Sequence, residues 1–415
     1  MMSRPINRRE LLRGAVGAAG VMGLAHFGTA DDESDVSTSD SPKITAVRTY
    51  RVEHQLKRPF GVSVSVPLDT TRSALFVKIE TDAGLVGWGE TSPLNGAQAT
   101  IDEQLGPALI GRSPLEYRKL WRQMWGANFG HALAVGALDM SLNDVRGKTL
   151  GLSVADLFGG RLRDRVPVYA SAMNYVEDEE PEKQFPREAE QLAGQGFKAM
   201  KMRLGRYPVR REAEVARKVR EVVGPDVKLM ADGNAAYTLT SGLEMGQVLH
   251  ELGFEFFEEP LPQSPKYAGY EELRQKLPLT LAAGEAVDSR ASAKELIDRR
   301  AMDIIQPDVS LCGGIGEALF IAELAALSGI RCLPHCWGGA IVIAATAQLL
   351  SLLPEPHWGF PTDTPMLEFD MSENPWRREI VTEPFEVEDG FLRVPTGPGL
   401  GIEVDERVIQ KYAVG

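Results

Sequence analysis

The chain has 415 residues, of which 43% are apolar and 25% are charged, and its formal net charge is -13. These fractions are typical of a soluble globular protein, and the length is enough for two domains with a large core. The negative charge argues against nucleic acid as a partner, because nothing offsets the repulsion from phosphate groups.

The first 42 residues are interpreted as an export signal and a linker. Residues 7–13 read NRRELLR, and residues 14–27 form an apolar run that is short for a membrane span. We therefore expect residues 1–30 to be a twin-arginine signal peptide that directs the folded protein to the periplasm or another extracytoplasmic space, with no stable membrane insertion after cleavage. A retained membrane anchor and a disordered basic leader are the alternatives. Residues 31–42 are acidic and rich in serine, which indicates a disordered linker.

Residues 43–165 are predicted to form a separate α+β domain, because strands are followed there by helices. The expected elements are strands within 44–90, including a hairpin of 74–80 with 85–90, and helices at about 100–122 and 133–149. The hairpin turn carries Asp82 and Gly84, which suit a tight turn. The basic segment 55–61 is expected to be a loop that either contacts ligand or belongs to the ordinary surface.

Residues 166–365 alternate between short apolar strands and amphipathic helices. The expected strands are 166–170, 197–202, 228–233, 254–258, 279–285, 303–307 and 330–334, with a weaker one near 356–360. The expected helices include 210–223, 241–252, 291–298 and 317–328. Periodic strand–helix units imply a parallel sheet, so this region is predicted to be a barrel. Residues 366–415 are predicted to return to the first domain and to contain a hairpin within 385–394.

Charged or metal-capable side chains follow six of these strands, about 23 to 31 residues apart. In a parallel barrel the carboxyl ends of all strands meet at one mouth. Asp232, Glu258 and Glu285 come from three successive strands, and three carboxylates so close together repel one another unless a cation lies between them. An all-oxygen set suits Mg²⁺, which we predict they bind. Each of the three, taken alone, would be an ordinary solvated loop residue.

Asp308 and His335 follow the next two strands, where the carboxylate can accept a hydrogen bond from one imidazole nitrogen. That bond would leave the other nitrogen basic and facing the cavity, so we predict that the two form a base dyad. Lys201 and Arg203 are two residues apart and point to the same side of their strand, into the mouth. Their expected partner is an anionic substrate oxygen, and the alternative is a salt bridge to a carboxylate of the metal site.

At these residues the chain resembles the mandelate racemase subgroup of the enolase superfamily, from about residue 43 to the C-terminus. The matching series is Lys-x-basic at 201–203, Asp-x-Asn at 232–234, Glu-Glu-Pro at 258–260, Gly-Glu at 284–285, Asp308 and His335. The resemblance implies an α/β fold, a modified (β/α)7β TIM-type barrel with an α+β capping domain formed by N-terminal residues and the C-terminal tail. It also implies Mg²⁺ at Asp232, Glu258 and Glu285, the base dyad, and substrate contacts from Lys201 and Asn234.

Two departures from the racemase pattern narrow the expected reaction. Arg203 stands where the racemase has a second lysine base, so racemisation or epimerisation through two bases is disfavoured. After Trp358 the sequence reads Gly-Phe, whereas the racemase has a glutamate that binds the substrate carboxylate, and Glu368 is a candidate replacement. The muconate-lactonizing and dipeptide-epimerase branch is also disfavoured, because no lysine occurs in residues 301–316.

With one base, the expected reaction is Mg²⁺-dependent removal of the proton α to a carboxylate, followed by loss of a β-hydroxyl. The chain is thus expected to be a hydro-lyase that dehydrates a sugar acid, an aldonate or aldarate, to a 2-keto-3-deoxy acid. The alternatives are a sugar-acid lactone cycloisomerase, which expels a ring oxygen, then a racemase or epimerase, and an inactive sugar-acid binding protein. We also expect a homo-oligomer.

Overall fold

The computed structural model describes residues 41–126, 130–354 and 364–414. The expected signal peptide, nearly all of the expected linker, the weak strand near 356–360 and the Gly-Phe pair after Trp358 lie outside these residues. Residues 41–415 form one compact unit. Within the described ranges, no helix combines the length and the apolar character needed to cross a bilayer.

The first described elements are strands β1 to β3 and helices α1 to α5. They are β1 (Ile44–Gly61), β2 (Asp69–Thr81), β3 (Val86–Thr91), α1 (Ala97–Thr100), α2 (Gly106–Leu109), α3 (Tyr117–Trp125), α4 (Ala132–Leu150) and α5 (Val154–Leu157). The helix expected over 100–122 is in fact broken into short pieces. Gly111 adopts a left-handed conformation with φ +77°, and Pro114 begins a 3-10 turn, so neither position continues an α-helix.

The sheet of the capping region has the order β3-β2-β1-β5, where β5 is Tyr175–Val176, and its strands pair antiparallel. The predicted hairpin is confirmed as β2 with β3. The expected loop at 55–61 is wrong, because these residues complete β1. Leu56 and Phe60 are buried and anchor the strand, and Phe60 pairs with both Asp69 and Val176.

The predicted α/β barrel is confirmed by a parallel series of strands with helices between them. The strands are β4 (Arg165–Ser171), β6 (Ala199–Arg203), β7 (Lys228–Asp232), β8 (Phe257–Glu258), β9 (Leu281–Ala283), β10 (Ile304–Ile305), β11 (Arg331–Cys332) and β12 (Leu367–Asp370). The helices are α6 (Pro181–Gly194), α7 (Val209–Val223), α8 (Leu239–Glu251), α9 (Tyr270–Lys276), α10 (Arg290–Arg299), α11 (Ile315–Leu327) and α12 (Ala340–Leu352). The parallel order is β12-β4-β6-β7-β8-β9-β10-β11.

A layer of buried side chains, contributed by neighbouring strands, fills the barrel interior below the mouth. Its members are Tyr169, Ala199, Met230, Phe256, Ala282, Ile304 and Leu333. The barrel is therefore a packed core with its polar chemistry confined to the strand ends, as expected for this architecture.

The C-terminal segment contacts both sheets. The predicted hairpin is confirmed as β13 (Val387–Glu388) with β14 (Phe391–Arg393), and β14 pairs with the start of β4. Helix α13 (Glu406–Tyr412) lies against β1, where Glu406 accepts hydrogen bonds from Tyr50 at 2.7 Å and Lys78 at 2.8 Å. The domain boundaries at 165/166 and 365/366 stay a prediction.

Candidate active site

The structure places the charged residues predicted from the strand ends at one mouth of the barrel. Lys201 and Arg203 lie on β6, Asp232 ends β7 and Glu258 ends β8. Glu285, Asp308 and His335 follow β9, β10 and β11. All but Glu285, which is partly exposed, are buried. Charged side chains that are far apart in the sequence thus form one cluster in the structure, because their strands end at the same mouth.

Lys201 lies between carboxylates. Its Nζ is 2.6 Å from Glu258 Oε1, 2.7 Å from Glu368 Oε1 and 3.5 Å from Asp232 Oδ2. Burial alone would lower the pKa of Lys201, but these carboxylates raise it above its usual range. Lys201 is therefore a cation in this arrangement and cannot accept a proton.

Arg203 donates to Asp232, and its guanidinium carbon lies 4.8 Å from the centre of the Trp337 ring. The salt bridge considered as the alternative for the two basic residues is thus the arrangement found here. Although burial alone would raise the pKa of Asp232, Arg203 and Lys201 hold it below the usual range.

The structure brings the two predicted dyad residues into contact, with His335 Nδ1 2.7 Å from Asp308 Oδ2, and their role as a base stays a prediction. The other oxygen, Asp308 Oδ1, accepts from the Ser310 backbone N–H at 2.7 Å and from its hydroxyl at 2.6 Å. These bonds fix the carboxylate, and the carboxylate in turn fixes the imidazole. His335 Nε2 is left 3.3 Å from Glu285 Oε2 and 3.9 Å from Glu368 Oε2.

The electrostatic surroundings favour the protonated form of His335. Burial alone would lower its pKa, but the negative charges of Glu285 and Glu368 and the hydrogen bond to Asp308 raise the pKa to about 10. The pKa of Glu258 is also raised, so this carboxyl group favours its neutral, protonated form. Its burial, together with the neighbouring carboxylates, raises its pKa to about 8 despite the attraction of Lys201.

The predicted metal ligands are held by neutral donors as well as by cations. Glu258 Oε2 accepts from Gln306 Nε2 at 2.8 Å, and Glu285 Oε1 accepts from Gln263 Nε2 at 3.2 Å. In the described part of the chain, no three Asp, Glu, His or Cys side chains converge on one point as a metal site requires. Lys201 links Asp232 to Glu258, whereas Glu285 lies with His335.

The donor chemistry of the mouth nevertheless fits a hard divalent cation. The carboxylates there are Asp232, Glu258, Glu259, Glu285, Asp308 and Glu368, and the cations are Lys201, Arg203 and protonated His335. Six carboxyl groups thus face three cations, and burial together with the neighbouring carboxylates raises the pKa of Glu258 to about 8. Keeping all six groups ionised in such a site is costly without a further cation. The assignment of Asp232, Glu258 and Glu285 as Mg²⁺ ligands stays a prediction.

Three residues near the mouth were missed or left open by the sequence. Glu368, the candidate replacement for the racemase glutamate, ends up beside Lys201 because β12 pairs with β4. Gln306 and Trp337 lie two residues from the members of the dyad. In an extended chain, side chains two residues apart point to the same side. This spacing could have predicted that Gln306 and Trp337 lie at the mouth with the dyad.

A cavity of about 390 Å³ extends from the dyad towards the capping sheet. Phe60, Arg72 and Glu90 line it from the capping strands, and His335 and Trp337 line it from the barrel. Phe60 brings the end of segment 55–61 to this cavity, and ligand contact by the segment stays a prediction.

Asn234, the predicted substrate contact, has a strained backbone with φ +38°. Its N–H donates to Asp232 Oδ1 at 2.8 Å, and its carbonyl accepts from the Ser65 hydroxyl at 2.7 Å. These contacts place Asn234 at the rim beside a metal-ligand candidate, while its role towards substrate stays a prediction.

Comparisons with known proteins agree with this fold. Residues 44–159 match the family model of the mandelate racemase / muconate lactonizing enzyme N-terminal domain, and residues 184–408 match the enolase C-terminal domain-like model. The chain is 36% identical over 377 residues to a D-galactarolactone cycloisomerase of Agrobacterium fabrum, covering 89% of this chain and 98% of that protein. It is 33% identical over 344 residues to an arabinonate dehydratase of Saccharolobus solfataricus, covering 81% and 89%.

A solved structure shows the same similarity in three dimensions. The 3,6-anhydro-D-galactonate cycloisomerase of Zobellia galactanivorans superposes with a TM-score of 0.79 at 31% identity, covering 90% of this chain and 100% of that chain.

Proposed function

The chain is an enzyme of the mandelate racemase / muconate lactonizing enzyme family of the enolase superfamily, and we propose that it dehydrates a sugar acid by one-base β-elimination. The observation that carries this proposal is the single dyad, in which Asp308 holds His335 at 2.7 Å. The other basic side chains at the mouth are cations held by carboxylates. A reaction that needs only one base is therefore favoured over one that needs two.

The steps follow from the positions of these side chains. Lys201 and Arg203 provide positive charge for the carboxylate of the substrate, and the cavity beside the dyad accommodates the rest of the sugar acid. His335 Nε2 removes the proton α to that carboxylate. The resulting imidazolium, stabilised by Asp308, then donates the proton to the departing β-hydroxyl on the same side, so the base returns to its neutral form.

We propose that Asp232, Glu258 and Glu285 hold Mg²⁺, as the excess of buried carboxylates suggests. When bound, the ion supplies positive charge that neutralises these carboxylates and stabilises the negative charge developing on the substrate. Among the groups that raise the pKa of His335, Glu285 has the largest effect. Neutralisation of the Glu285 charge would lower that pKa towards the range in which His335 can act as a base.

A sugar-acid lactone cycloisomerase is the second candidate. The observation that favours it is the 36% identity to a D-galactarolactone cycloisomerase over 98% of that protein's length. The chemistry at the dyad is the same, because removal of the α-proton expels a ring oxygen instead of a hydroxyl. The two reactions differ in the leaving group, which residues of the cavity would select.

The test is incubation of the purified protein with Mg²⁺ and a panel of aldonates, aldarates and their lactones in deuterated water. Dehydration converts an open-chain acid to a product that has lost one water, whereas cycloisomerisation converts a lactone to a product of unchanged elemental composition. A racemase would return a stereoisomer carrying deuterium at the α-carbon. A binding protein would incorporate no deuterium with any member of the panel, and that result would refute enzymatic β-elimination.

We also propose that the enzyme is exported, on the basis of the motif containing Arg8 and Arg9. Substitution of both by lysine should retain the protein in the cytoplasm, as measured by cell fractionation. Export of the doubly substituted protein at the normal level would contradict the twin-arginine assignment.

A further inference from the structure

We propose that Glu90 and Asp139 are positioning residues of the base dyad. Each comes from the capping region and caps the N-terminus of a barrel helix. Helix α11 follows the loop that carries Asp308, and helix α12 follows the loop that carries His335. The inference rests on the proposed function, since it assigns a role towards the dyad that function requires.

Glu90, at the end of β3, reaches the start of α12. Its Oε1 accepts the Gly339 backbone N–H at 2.5 Å, and its Oε2 accepts the Val342 N–H at 3.2 Å. The side chain is only 2% exposed and lines the cavity together with the dyad. The loop from His335 to the start of α12 is therefore tied to the capping sheet at its far end.

Asp139, on α4, performs the equivalent task for α11. Its Oδ2 accepts the Ile315 backbone N–H at 2.7 Å, while its Oδ1 accepts the Tyr117 hydroxyl at 2.6 Å. The same loop is held a second time, because the Thr91 hydroxyl donates to the Ser310 carbonyl at 2.8 Å. Ser310 is the residue that binds Asp308 directly.

Both helices begin with a glycine that cannot cap its own helix. Gly314 and Gly339 occupy the N-cap positions of α11 and α12, and neither helix has a side-chain cap of its own. A Cβ at Gly339 would lie 2.9 Å from Glu90 Oε1, and a Cβ at Gly314 would collide with the Asp139 carboxylate. The acidic side chains therefore fill the space of the missing caps and satisfy backbone donors that helix starts leave unpaired.

The cost of these contacts indicates that they serve more than local packing. Burial raises the pKa of Glu90 to about 7 and that of Asp139 to about 6, although the backbone N–H groups partly offset it. A serine at the N-cap is the usual local solution, but Gly314 has φ +107°, which a serine rarely adopts, so its helix start depends on a cap from elsewhere in the chain. Carboxylates from the capping region instead make the positions of both dyad loops depend on the seating of that region.

The test compares Glu90→Ala and Asp139→Ala with the conservative Glu90→Gln and Asp139→Asn, which keep an acceptor oxygen. Asp144→Ala is the matched control. Asp144 is an equally buried carboxylate on α4, but its partners lie away from the dyad: the backbone N–H groups of Trp88 and Leu400, both at 2.9 Å, and Lys148 Nζ at 2.7 Å.

The first readout is the low-field proton resonance of the His335 Nδ1–H, identified by its loss in His335→Asn. We expect this resonance to shift or broaden in the two alanine variants and to be preserved in the conservative variants and in Asp144→Ala. This measurement needs no substrate, so it decides the positioning role even if no sugar acid is turned over and the proposed function fails.

The second readout is turnover of whichever panel substrate the wild type converts. We expect kcat to fall roughly 10- to 100-fold in the alanine variants, with KM changed less than about threefold, because the base is displaced while the binding groups stay in place. Glu90→Gln should recover most of the activity. If Glu90→Ala does not fold, Glu90→Asp shortens the reach of the carboxylate and should show the same split. An unchanged His335 resonance in the folded variants, or a loss no larger than that of Asp144→Ala, would overturn the proposal.

Discussion

Glu90→Gln should stabilise the protein at neutral pH and not at acidic pH. Burial raises the pKa of Glu90 from 4.5 to about 7. Between these two values the folded state binds a proton that the unfolded state lacks, so this group's contribution to stability falls as the pH rises. Glutamine cannot ionise, and it keeps one oxygen that can accept from Gly339. Its NH2 group cannot accept the Val342 N–H as Oε2 does, which lowers stability by an amount that does not depend on pH. The free energy of unfolding of the variant therefore does not fall between these pH values on account of this group.

The magnitude follows from the pKa rise. At about 1.4 kcal/mol per pKa unit, the difference between 4.5 and about 7 corresponds to about 3 kcal/mol. We expect the free energy of unfolding of Glu90→Gln to exceed that of the wild type by up to this amount at pH 8. Near pH 4.5 this gain should vanish, because protonated glutamate and glutamine are both neutral, and only the loss of the Val342 hydrogen bond should remain.

The assay is urea-induced unfolding of both proteins at several pH values from 4.5 to 8. Glu221→Gln is the control, since Glu221 is an exposed residue of α7 and the same chemical change there should add no pH-dependent difference. A stability difference between Glu90→Gln and wild type that stays constant over the pH range would refute the argument. It would mean that the Glu90 carboxylate ionises in the folded protein as easily as in the unfolded chain.

Three further predictions concern the mouth of the barrel. His335→Asn should lower kcat by at least about a thousandfold while leaving Mg²⁺ affinity, measured by calorimetry, nearly intact; full activity would remove the dyad from the mechanism. Excess chelator should abolish turnover and added Mg²⁺ should restore it, so turnover that persists in chelator would contradict the metal assignment. Arg203→Lys should allow detectable epimerisation of the substrate, followed by deuterium incorporation and chiral analysis. A product mixture identical to that of the wild type would show that Arg203 is not what blocks two-base chemistry.

Much of the site was predictable because the barrel converts sequence spacing into proximity. Strands separated by single helices end at the same mouth, so Asp308 and His335 could be paired from the sequence and are found 2.7 Å apart. The same reasoning placed Lys201 and Arg203 on one side of β6. The sequence does not show which carboxylate pairs with each cation, because the pairing depends on distances between strands.

Three of the missed features depend on pairing between distant parts of the chain. Segment 55–61 is polar and basic enough to resemble a loop, but its pairing with residues near 69 and 176 makes it a strand. Glu368 reaches Lys201 only because β12 pairs with β4. Glu90 caps α12 from a strand that is distant in the sequence. The residue at the N-cap of α12 is Gly339, so the local sequence contains no side chain that indicates a cap.

In the proposed mechanism, Arg203 cannot serve as a second base, for two independent physical reasons. A guanidinium does not give up its proton in a protein, and this one is also committed to Asp232 and to the Trp337 ring. Lys201 could deprotonate in principle, but the surrounding carboxylates hold its pKa above the usual range. A proton taken by His335 must then be returned by His335. The leaving oxygen is therefore expected on the same side as the α-proton, whether that oxygen is a hydroxyl or part of a ring.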